Sequence, residues 1–282
     1  YLPVDFQAYR AASESIARIG KRYAEKFEQV SIDEMFLDLT HAGDMDKAKL
    51  LAEKLKQEVF EKDGLTCSIG IGPNKLVAKI ATDMKKPNGL TVITPDKLRE
   101  LVWPLRVRKL LGVGKKTEQA LKELSIHTIG DLARFNINSL IEEFGTSGFA
   151  LHRMANGLDD SDVEDAGDAK SISRENTFEK DTDDPDVLGI TLLELARDIH
   201  KEMQESGMSY RTVSVKVRYE DFETHTRART IHITNSFELL YGTAKELMQP
   251  FLQSRKKVRL VGIKAANLIY NYDQTRLTEF AP

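Results

Sequence analysis

The sequence lacks the features of a secreted or membrane-embedded protein. Cys67 is its one cysteine among 282 residues, so disulfide bonds within the chain are excluded. No apolar run approaches the roughly 20 residues that a membrane-spanning helix requires, and no signal peptide is visible. With 41% hydrophobic residues, the chain can bury two or three domain cores. We therefore expect a cytoplasmic protein without a membrane partner.

The sequence also lacks the excess of positive charge that many nucleic-acid-binding proteins carry. Its formal net charge is −3, which by itself does not indicate a nucleic-acid partner. Part of the negative charge is concentrated in the stretch DDSDVEDAGD, where six acids fall within Asp159–Asp168. Such a block of like charges predicts a flexible acidic linker, which we place at residues 159–169.

Two adjacent carboxylates, Asp33 and Glu34, lie within the segment SIDEMFLDL at residues 31–39. The apolar positions up to Ile32 and those from Met35 onward alternate in opposite phases. Because strand side chains alternate between two faces with a period of two, this change of phase predicts two strands joined by a tight turn. On one straight strand the two acids would point to opposite faces, whereas at a turn they can converge.

Converging carboxylates predict a metal site, because they repel each other unless a cation lies between them. Mg²⁺ or Mn²⁺ is the natural occupant of a site built from carboxylate oxygens. Two such ions about 4 Å apart would activate an attacking oxygen and stabilise the leaving one. The alternative is a solvated acid pair without a ligand, which is the commoner outcome when such a pair occurs alone.

The segment 65–93 favours the metal site. It predicts a buried strand that ends at Gly70 and Gly72, a helix capped by Asn74, and the turn KKPNG ahead of a second strand. The ammonium group of Lys86 in that turn suits the phosphates of a nucleotide, because it binds them as a point charge. Taken alone, KKPNG is an ordinary surface turn, but its distance from SIDE makes it a specific signal.

A second motif, LLGVGKKTEQALKEL, follows at residues 110–124. It is typical of a helix–hairpin–helix, in which Gly112 and Gly114 let the backbone approach a DNA phosphate closely. Lys115 and Lys116 add positive charge beside that contact. A lone GVG would be a weak signal. With helical apolar spacing on both sides, the motif predicts sequence-independent contact with duplex DNA.

The region 170–267 predicts the order β-α-β-β-α-β. Lys216 and Arg218 lie two residues apart on one predicted strand, and Arg227 and Arg229 do so on the next. Each pair therefore projects from one face of its strand, while Val213, Val215 and Val217 occupy the other face of the first strand, against the helices. We expect a sheet with a cationic outer face that follows a DNA backbone. The alternative for either strand alone is an ordinary solvated face.

Together these segments closely resemble the Y-family (translesion, DinB-like) DNA polymerases, with an archaeal lineage. The resemblance implies an α+β fold that combines a partial ferredoxin-like palm, a small helical helix–hairpin–helix thumb and a β-α-β-β-α-β little-finger domain. The expected domains are a palm at 1–98, a thumb at 99–158, the acidic linker at 159–169, a little finger at 170–268 and a tail at 269–282.

The same resemblance implies the chemistry, which is template-directed transfer of a nucleotide from a dNTP to the 3′-hydroxyl of a primer. It assigns metal ligation to Asp33, metal ligation and catalysis to Glu34, and triphosphate contact to Lys86. Two Mg²⁺ ions are expected in the complete enzyme, with Mn²⁺ as a substitute. The chain is thus expected to be a DNA polymerase that acts on damaged templates, with primer–template DNA and dNTP as partners.

One segment of the chain that members of this family have is not found in the printed sequence. Its first ten residues resemble the point where the family chain re-enters the palm after the fingers. The first palm strand, with a further metal-binding aspartate, is not recognised. We therefore expect a truncated chain that alone extends a primer poorly. We also expect an apolar strand edge beside Phe36 and Leu37, which would allow dimerisation.

Two other functions fit parts of the sequence. A non-catalytic module that binds DNA and docks on a sliding clamp would keep the thumb and little finger without the chemistry. The intact set of Asp33, Glu34 and Lys86 favours catalytic ancestry instead. A palm-type nucleotide cyclase would share the carboxylate hairpin, but the helix–hairpin–helix and the basic sheet argue against it.

The tail contains a short pattern found in peptides that dock on sliding clamps. Gln274, Leu277 and Phe280 fit the order glutamine, hydrophobic residue, aromatic residue. The glutamine would fill a polar pocket and the other two side chains an apolar one, although Ala281 replaces the second aromatic of the full motif. Chance matches to so short a pattern are common, so a sliding clamp is a hypothetical partner.

Phe280→Ala should lower the affinity of the chain for a sliding clamp by about thirty-fold, because an anchoring aromatic contributes about 2 kcal/mol. Surface plasmon resonance on an immobilised clamp measures this affinity. Thr278→Ala, between the two apolar anchors, is the control. Equal binding by Phe280→Ala and the unaltered chain would remove the hypothesis.

Overall fold

The computed structural model describes residues 4–165, 167–254 and 256–270. These residues divide into two compact units, with the boundary between residues 167 and 168. Within the described ranges, no helix combines the length and the apolar character needed to cross a membrane. The mixture of helices and sheets agrees with the α+β class expected from the sequence.

The first unit contains four short strands followed by a group of small helices. Its elements in chain order are α1 (Phe6–Tyr23), β1 (Phe27–Gln29), β2 (Met35–Leu37), α2 (Met45–Asp63), β3 (Ile69–Ile71), α3 (Lys75–Met84), β4 (Leu90–Val92), α4 (Leu98–Leu101), α5 (Lys115–Glu123), α6 (Ile129–Arg134), α7 (Ile137–Phe144) and α8 (Thr146–Ala155).

The strands of the first unit form two small sheets. β1 and β2 are antiparallel, and β3 and β4 are parallel. Among the described residues, β2 pairs with β1 alone and β3 pairs with β4 alone, so each has an unpaired edge. α1 and α2 cover the strands through Ile19, Leu55 and Val59. Phe36 and Leu37 on β2 are half-buried, and dimerisation through their edge stays a prediction.

Helix α3 begins at a capped turn and packs closely on β3. Asn74 caps it by accepting a hydrogen bond from the N–H of Val77 at 3.0 Å, as predicted. A Cβ at Gly70 of β3 would lie 2.1 Å from the carbonyl oxygen of Ala78 and 2.3 Å from the nitrogen of Thr82. Glycine is therefore required where the helix backbone meets the strand backbone.

One hydrophobic core joins α3 to the small helices that follow. It combines apolar residues of α3 with buried residues of the helix–hairpin–helix and of the helices after it. Its buried residues include Leu76, Val77, Ile80, Leu110, Leu121, Ile129, Leu132 and Leu140. The division that we expected between palm and thumb, at residues 98 and 99, therefore falls within a continuous core.

The first half of the acidic segment lies against the first unit. An Asp159 carboxylate oxygen accepts a hydrogen bond from the N–H of Leu76 at 3.0 Å, at the start of α3. The ammonium of Lys75 donates to the Glu28 carboxylate at 2.6 Å and to the carbonyl oxygen of Asp162 at 2.9 Å. The structure thus differs from the expected flexible linker, because these residues bind groups of the palm.

The second unit has the predicted order β-α-β-β-α-β with one short added strand. Its elements are β5 (Ser171–Thr182), α9 (Pro185–Glu205), β6 (Met208–Tyr219), β7 (Thr224–Thr234), α10 (Phe237–Leu252), β8 (Val258–Ala266) and β9 (Ile269–Tyr270). The antiparallel sheet has the order β5-β8-β6-β7, and β9 pairs with β6. Both helices pack on one face of this sheet, where Val213, Val215 and Val217 are buried.

Gly70→Ala should lower the free energy of unfolding of the first unit by about 3 kcal/mol, because the added Cβ overlaps helix backbone. Denaturant unfolding followed by the fluorescence of Trp103, the chain's single tryptophan, reports on this unit. Gly167→Ala is the control, because a Cβ there meets nothing within 4 Å. A Gly70→Ala midpoint equal to that of the control would contradict the packing argument.

Candidate functional site

The two carboxylates lie at the turn of the β1–β2 hairpin, as the change of phase predicts. The turn is closed by hydrogen bonds from the N–H groups of Val30 and Ser31 to the carbonyl oxygen of Glu34, at 3.0 and 3.2 Å. The Ser31 hydroxyl donates to the Asp33 carboxylate at 2.6 Å and accepts from the N–H of Glu34 at 3.1 Å. Local hydrogen bonds therefore hold both acids at one end of the hairpin.

A lysine that sequence reasoning missed lies against this turn. The ammonium of Lys79, on α3, forms an ion pair with the Glu34 carboxylate. The Lys79 side chain is 23% exposed and that of Glu34 is 43% exposed, so the pair is partly shielded from water. No local pattern indicates this pair, because Lys79 and Glu34 lie 45 residues apart in the sequence.

Lys86 lies in the electrostatic field of the same carboxylates. Its ammonium is 2.7 Å from the Asp83 carboxylate. The hydrogen bond to Asp83 raises the pKa of Lys86, and the charges of Glu34 and Asp33 raise it further. Burial alone would raise the pKa of Asp83, but the hydrogen bond from Lys86 and neighbouring lysine charges outweigh it and lower that pKa. The structure thus brings the three predicted palm residues into one region.

The turn that carries Lys86 is fixed from both sides. The ammonium of Lys56 donates to the side-chain oxygen of Asn88 at 2.6 Å and to its backbone carbonyl oxygen at 3.2 Å. The N–H of Gly89 donates to the Ser68 hydroxyl at 3.2 Å. A Cβ at Gly89 would lie 2.2 Å from the carbonyl oxygen of Lys85, so the turn requires glycine there. These contacts set where the Lys86 side chain begins.

The donor atoms of this region fit a hard divalent cation. Carboxylate oxygens are the ligands that Mg²⁺ and Mn²⁺ prefer, and Asp33 and Glu34 are the residues that would hold such an ion. In the parts of the chain that the structure describes, no group of three or more His, Cys, Asp or Glu side chains is placed to bind a metal. Asp33 and Glu34 therefore fit a divalent metal in the type of their donor atoms, which are the oxygens of two adjacent carboxylates.

The helix–hairpin–helix residues form an exposed corner at the start of α5. Gly112 has a φ of +82°, which favours glycine. Gly114 precedes α5, and among the described residues no side chain caps this helix start. Lys115 and Lys116 lie exposed on its first turn. Open N–H groups, the helix dipole and two cations at one end of a helix suit an anionic group such as a phosphate.

The register of the second unit corrects the expected cationic outer face. In the β6–β7 pairing, Arg227 lies opposite Val215 and Arg229 lies opposite Val213. Directly opposed residues in an antiparallel pair share a face of the sheet. Because those valines face the helices, the two arginines of β7 lie on the helix-bearing face as well.

Contacts of the two arginines agree with that register. The Arg229 guanidinium pairs with the Glu246 carboxylate on α10. The Arg227 guanidinium lies 5.6 Å from the centre of the Phe251 ring, also on α10. The expectation that these arginines belong to the outer face is therefore wrong, because alternation fixes faces within one strand but not between two strands.

Lys216 and Arg218 do lie on the open face of the sheet. The Lys216 ammonium pairs with the Glu175 carboxylate on β5, and the Arg218 Nε donates to the Thr224 hydroxyl at 2.9 Å. Lys264 on β8 lies opposite Ser214 and belongs to the same face. Sequence reasoning missed Lys264, although its alternation with buried apolar neighbours would have indicated it. The predicted clamp-binding residues Gln274, Leu277 and Phe280 lie outside the described residues.

Comparison with known protein families gives matches along most of the chain. Residues 1–83 match the impB/mucB/samB family, and residues 169–277 match the C-terminal domain of that family. Residues 108–159, which contain the helix–hairpin–helix, match the thumb domain described for DNA polymerase-iota.

Individual relatives agree with these matches. The chain is 45% identical to DNA polymerase IV of Methanoculleus marisnigri, over 95% of this chain and 74% of that protein. It is 39% identical to DNA polymerase IV 2 of Methanosarcina mazei, over 99% of this chain and 76% of the relative. A solved structure of a Y-family DNA polymerase chimera of Dbh and Dpo4 is similar with a TM-score of 0.89 and 30% identity, over 96% of this chain and 79% of that one.

The chain therefore belongs to the Y family of DNA polymerases. By family it is a DNA-directed DNA polymerase, that is, a nucleotidyltransferase. The archaeal sources of both relatives agree with the lineage expected from the sequence.

Replacing Lys216 and Arg218 together by alanine should reduce the slope of log K for DNA against log salt concentration by roughly 2, because each lost phosphate contact removes about 0.9. Fluorescence anisotropy with a labelled primer–template duplex, titrated at several salt concentrations, measures that slope. The double variant Arg227→Ala, Arg229→Ala removes the same charge from the helix-bearing face and should leave the slope nearly unchanged. Equal slopes for the two double variants would contradict the assignment of faces.

Proposed function

We propose that this chain carries out template-directed nucleotidyl transfer of the translesion type, from a dNTP to the 3′-hydroxyl of a primer. The observation that supports this most directly is the convergence of three palm residues. Asp33 and Glu34 share one hairpin turn, and both carboxylates act on the Lys86 ammonium. A pair of oxygen ligands beside a fixed cation suits a nucleotide that carries both phosphates and a divalent metal.

Each palm residue has a separate task in this proposal. Asp33 and Glu34 would hold the catalytic Mg²⁺ or Mn²⁺. When bound, that metal would acidify the attacking hydroxyl and neutralise charge on the transferred phosphate. Lys86 would bind the triphosphate and stabilise the charge on the departing pyrophosphate. The fixed turn around Asn88 and Gly89 places the base of the Lys86 side chain, and Asp83 holds its ammonium before the nucleotide arrives, so less ordering is needed on binding.

The thumb and the little finger would hold the duplex without reading its sequence. The exposed start of α5 offers N–H groups and two lysines to one backbone phosphate. Lys216, Arg218 and Lys264 offer charge on an open sheet face that is otherwise rich in small and hydroxyl side chains. One similar structure is described as an insertion ternary complex of Dbh DNA polymerase, which supports primer–template DNA and dNTP as partners of this chain.

Single-nucleotide primer extension with Mg²⁺ tests the proposal. Asp33→Ala should lower the insertion rate at least about a hundred-fold, because it removes a ligand of the metal that stabilises the transition state. Asp46→Ala, an exposed acid on α2, is the matched control and should retain the rate. A gel shift with the same primer–template checks that binding survives. Equal insertion by Asp33→Ala and the control would contradict the assigned metal site.

The absolute rate tests a second expectation. We expect slow insertion by these 282 residues alone, because no group of three metal-binding side chains comes together among the described residues. Efficient extension by the unaltered chain would contradict this expectation but not the roles assigned to Asp33, Glu34 and Lys86. No insertion together with firm DNA binding would favour the alternative of a DNA-binding module.

A further inference from the structure

Lys79 is in direct contact with the proposed catalytic carboxylate of Glu34. It lies on α3, one turn before Asp83, and its ammonium pairs with one oxygen of Glu34. The side chain is largely buried for a lysine, at 23% exposure. A lysine usually keeps its ammonium in water, so its position against Glu34 is a specific feature of this helix face.

The charges around Lys79 alternate in sign. Glu34 pairs with Lys79, and the next pair along the same helix face is Asp83 with Lys86. The charge of Lys79 also acts on Asp83 and contributes to lowering the pKa of that carboxyl. Lys79 therefore lies between two carboxylates, one on the hairpin turn and one a helical turn further along α3.

A cation at Glu34 has a direct consequence for metal binding. An ammonium that pairs with a carboxylate oxygen occupies part of the space and the negative potential that a divalent ion would use. Two cations at contact distance repel each other strongly where water is partly excluded. A metal ion can therefore bind Glu34 fully only when the Lys79 ammonium moves away, and Asp83, one helical turn further along α3, is a carboxylate that can receive it.

We propose that Lys79 is a positioning residue that takes the place of a divalent cation at Glu34, holds that carboxylate at the hairpin turn, and yields it when the metal binds. This inference rests on the proposed function, because it assumes that Glu34 is a metal ligand. Helix α3 then controls access to the metal site, since the metal must displace the Lys79 ammonium before the Glu34 carboxylate is available. Lys79 then neutralises Asp83 rather than Glu34.

Titration of the full chain with Mn²⁺, followed by the electron paramagnetic resonance signal of the free ion, tests this inference without measuring activity. Lys79→Met should bind Mn²⁺ about three- to ten-fold more tightly, because the competing cation is gone. Lys79→Arg, which keeps the charge, should bind no more tightly than the unaltered chain. Lys49→Met, an exposed lysine paired with Glu53 on α2, is the control for the loss of one positive charge.

The direction of the change separates this role from a structural one. If Lys79 only supported the fold, Lys79→Met would bind Mn²⁺ as well as or less tightly than the unaltered chain, and either result would overturn the inference. Tightening of equal size in Lys49→Met would overturn it too, because the effect would then be one of net charge. Glu34→Gln separates the two proposals. If Glu34→Gln abolishes Mn²⁺ binding and Lys79→Met does not strengthen it, the metal site stands and the role of Lys79 is removed. If Glu34→Gln leaves Mn²⁺ binding intact, the metal site and the role of Lys79 are both removed.

Discussion

The close approach of α3 to β3 at Gly70 is the constraint on which the palm site depends. Because the strand has no side chain at the point of contact, the helix lies against the strand backbone and its orientation is fixed. That orientation aims Lys79 at the hairpin turn and leaves Lys86 just beyond the end of the helix. A larger residue at this position would displace the helix and separate the groups that the two elements bring together.

Electrostatic balance within the site follows from this placement. Four charges alternate in sign: Glu34 on the hairpin turn, Lys79 and Asp83 on α3, and Lys86 just beyond the end of α3. Glu34 and Asp83 each have a lysine partner, so both charges are balanced without a bound ion. The same balance means that a divalent cation must compete with an internal one. The proposed metal site is thus also an ion-pair network. Its affinity for a metal depends on its carboxylate ligands and on the lysines that pair with them.

Local patterns predicted the parts of the structure that are determined locally. The change of phase at Asp33 identified the hairpin, because strand alternation needs only neighbouring residues, and Asn74 was recognised as a cap for the same reason. The pair of Lys79 with Glu34 was not predictable, because it joins residues 45 apart in sequence across a helix and a hairpin. The face of Arg227 was mistaken because it depends on the register between β6 and β7, which the turn between them sets.

The acidic segment shows why net charge was a poor guide to the partner of this chain. Asp159 accepts a hydrogen bond at the start of α3, where the helix dipole favours an anion, while Lys86 lies beyond the other end, where it favours a cation. Acids that are bound in this way contribute to net charge but act mainly on groups of their own unit. The exposed lysines at the start of α5, Lys115 and Lys116, suit an external anion instead. A chain with a net charge of −3 can therefore present surfaces suited to DNA, because affinity depends on where the charges lie rather than on their sum.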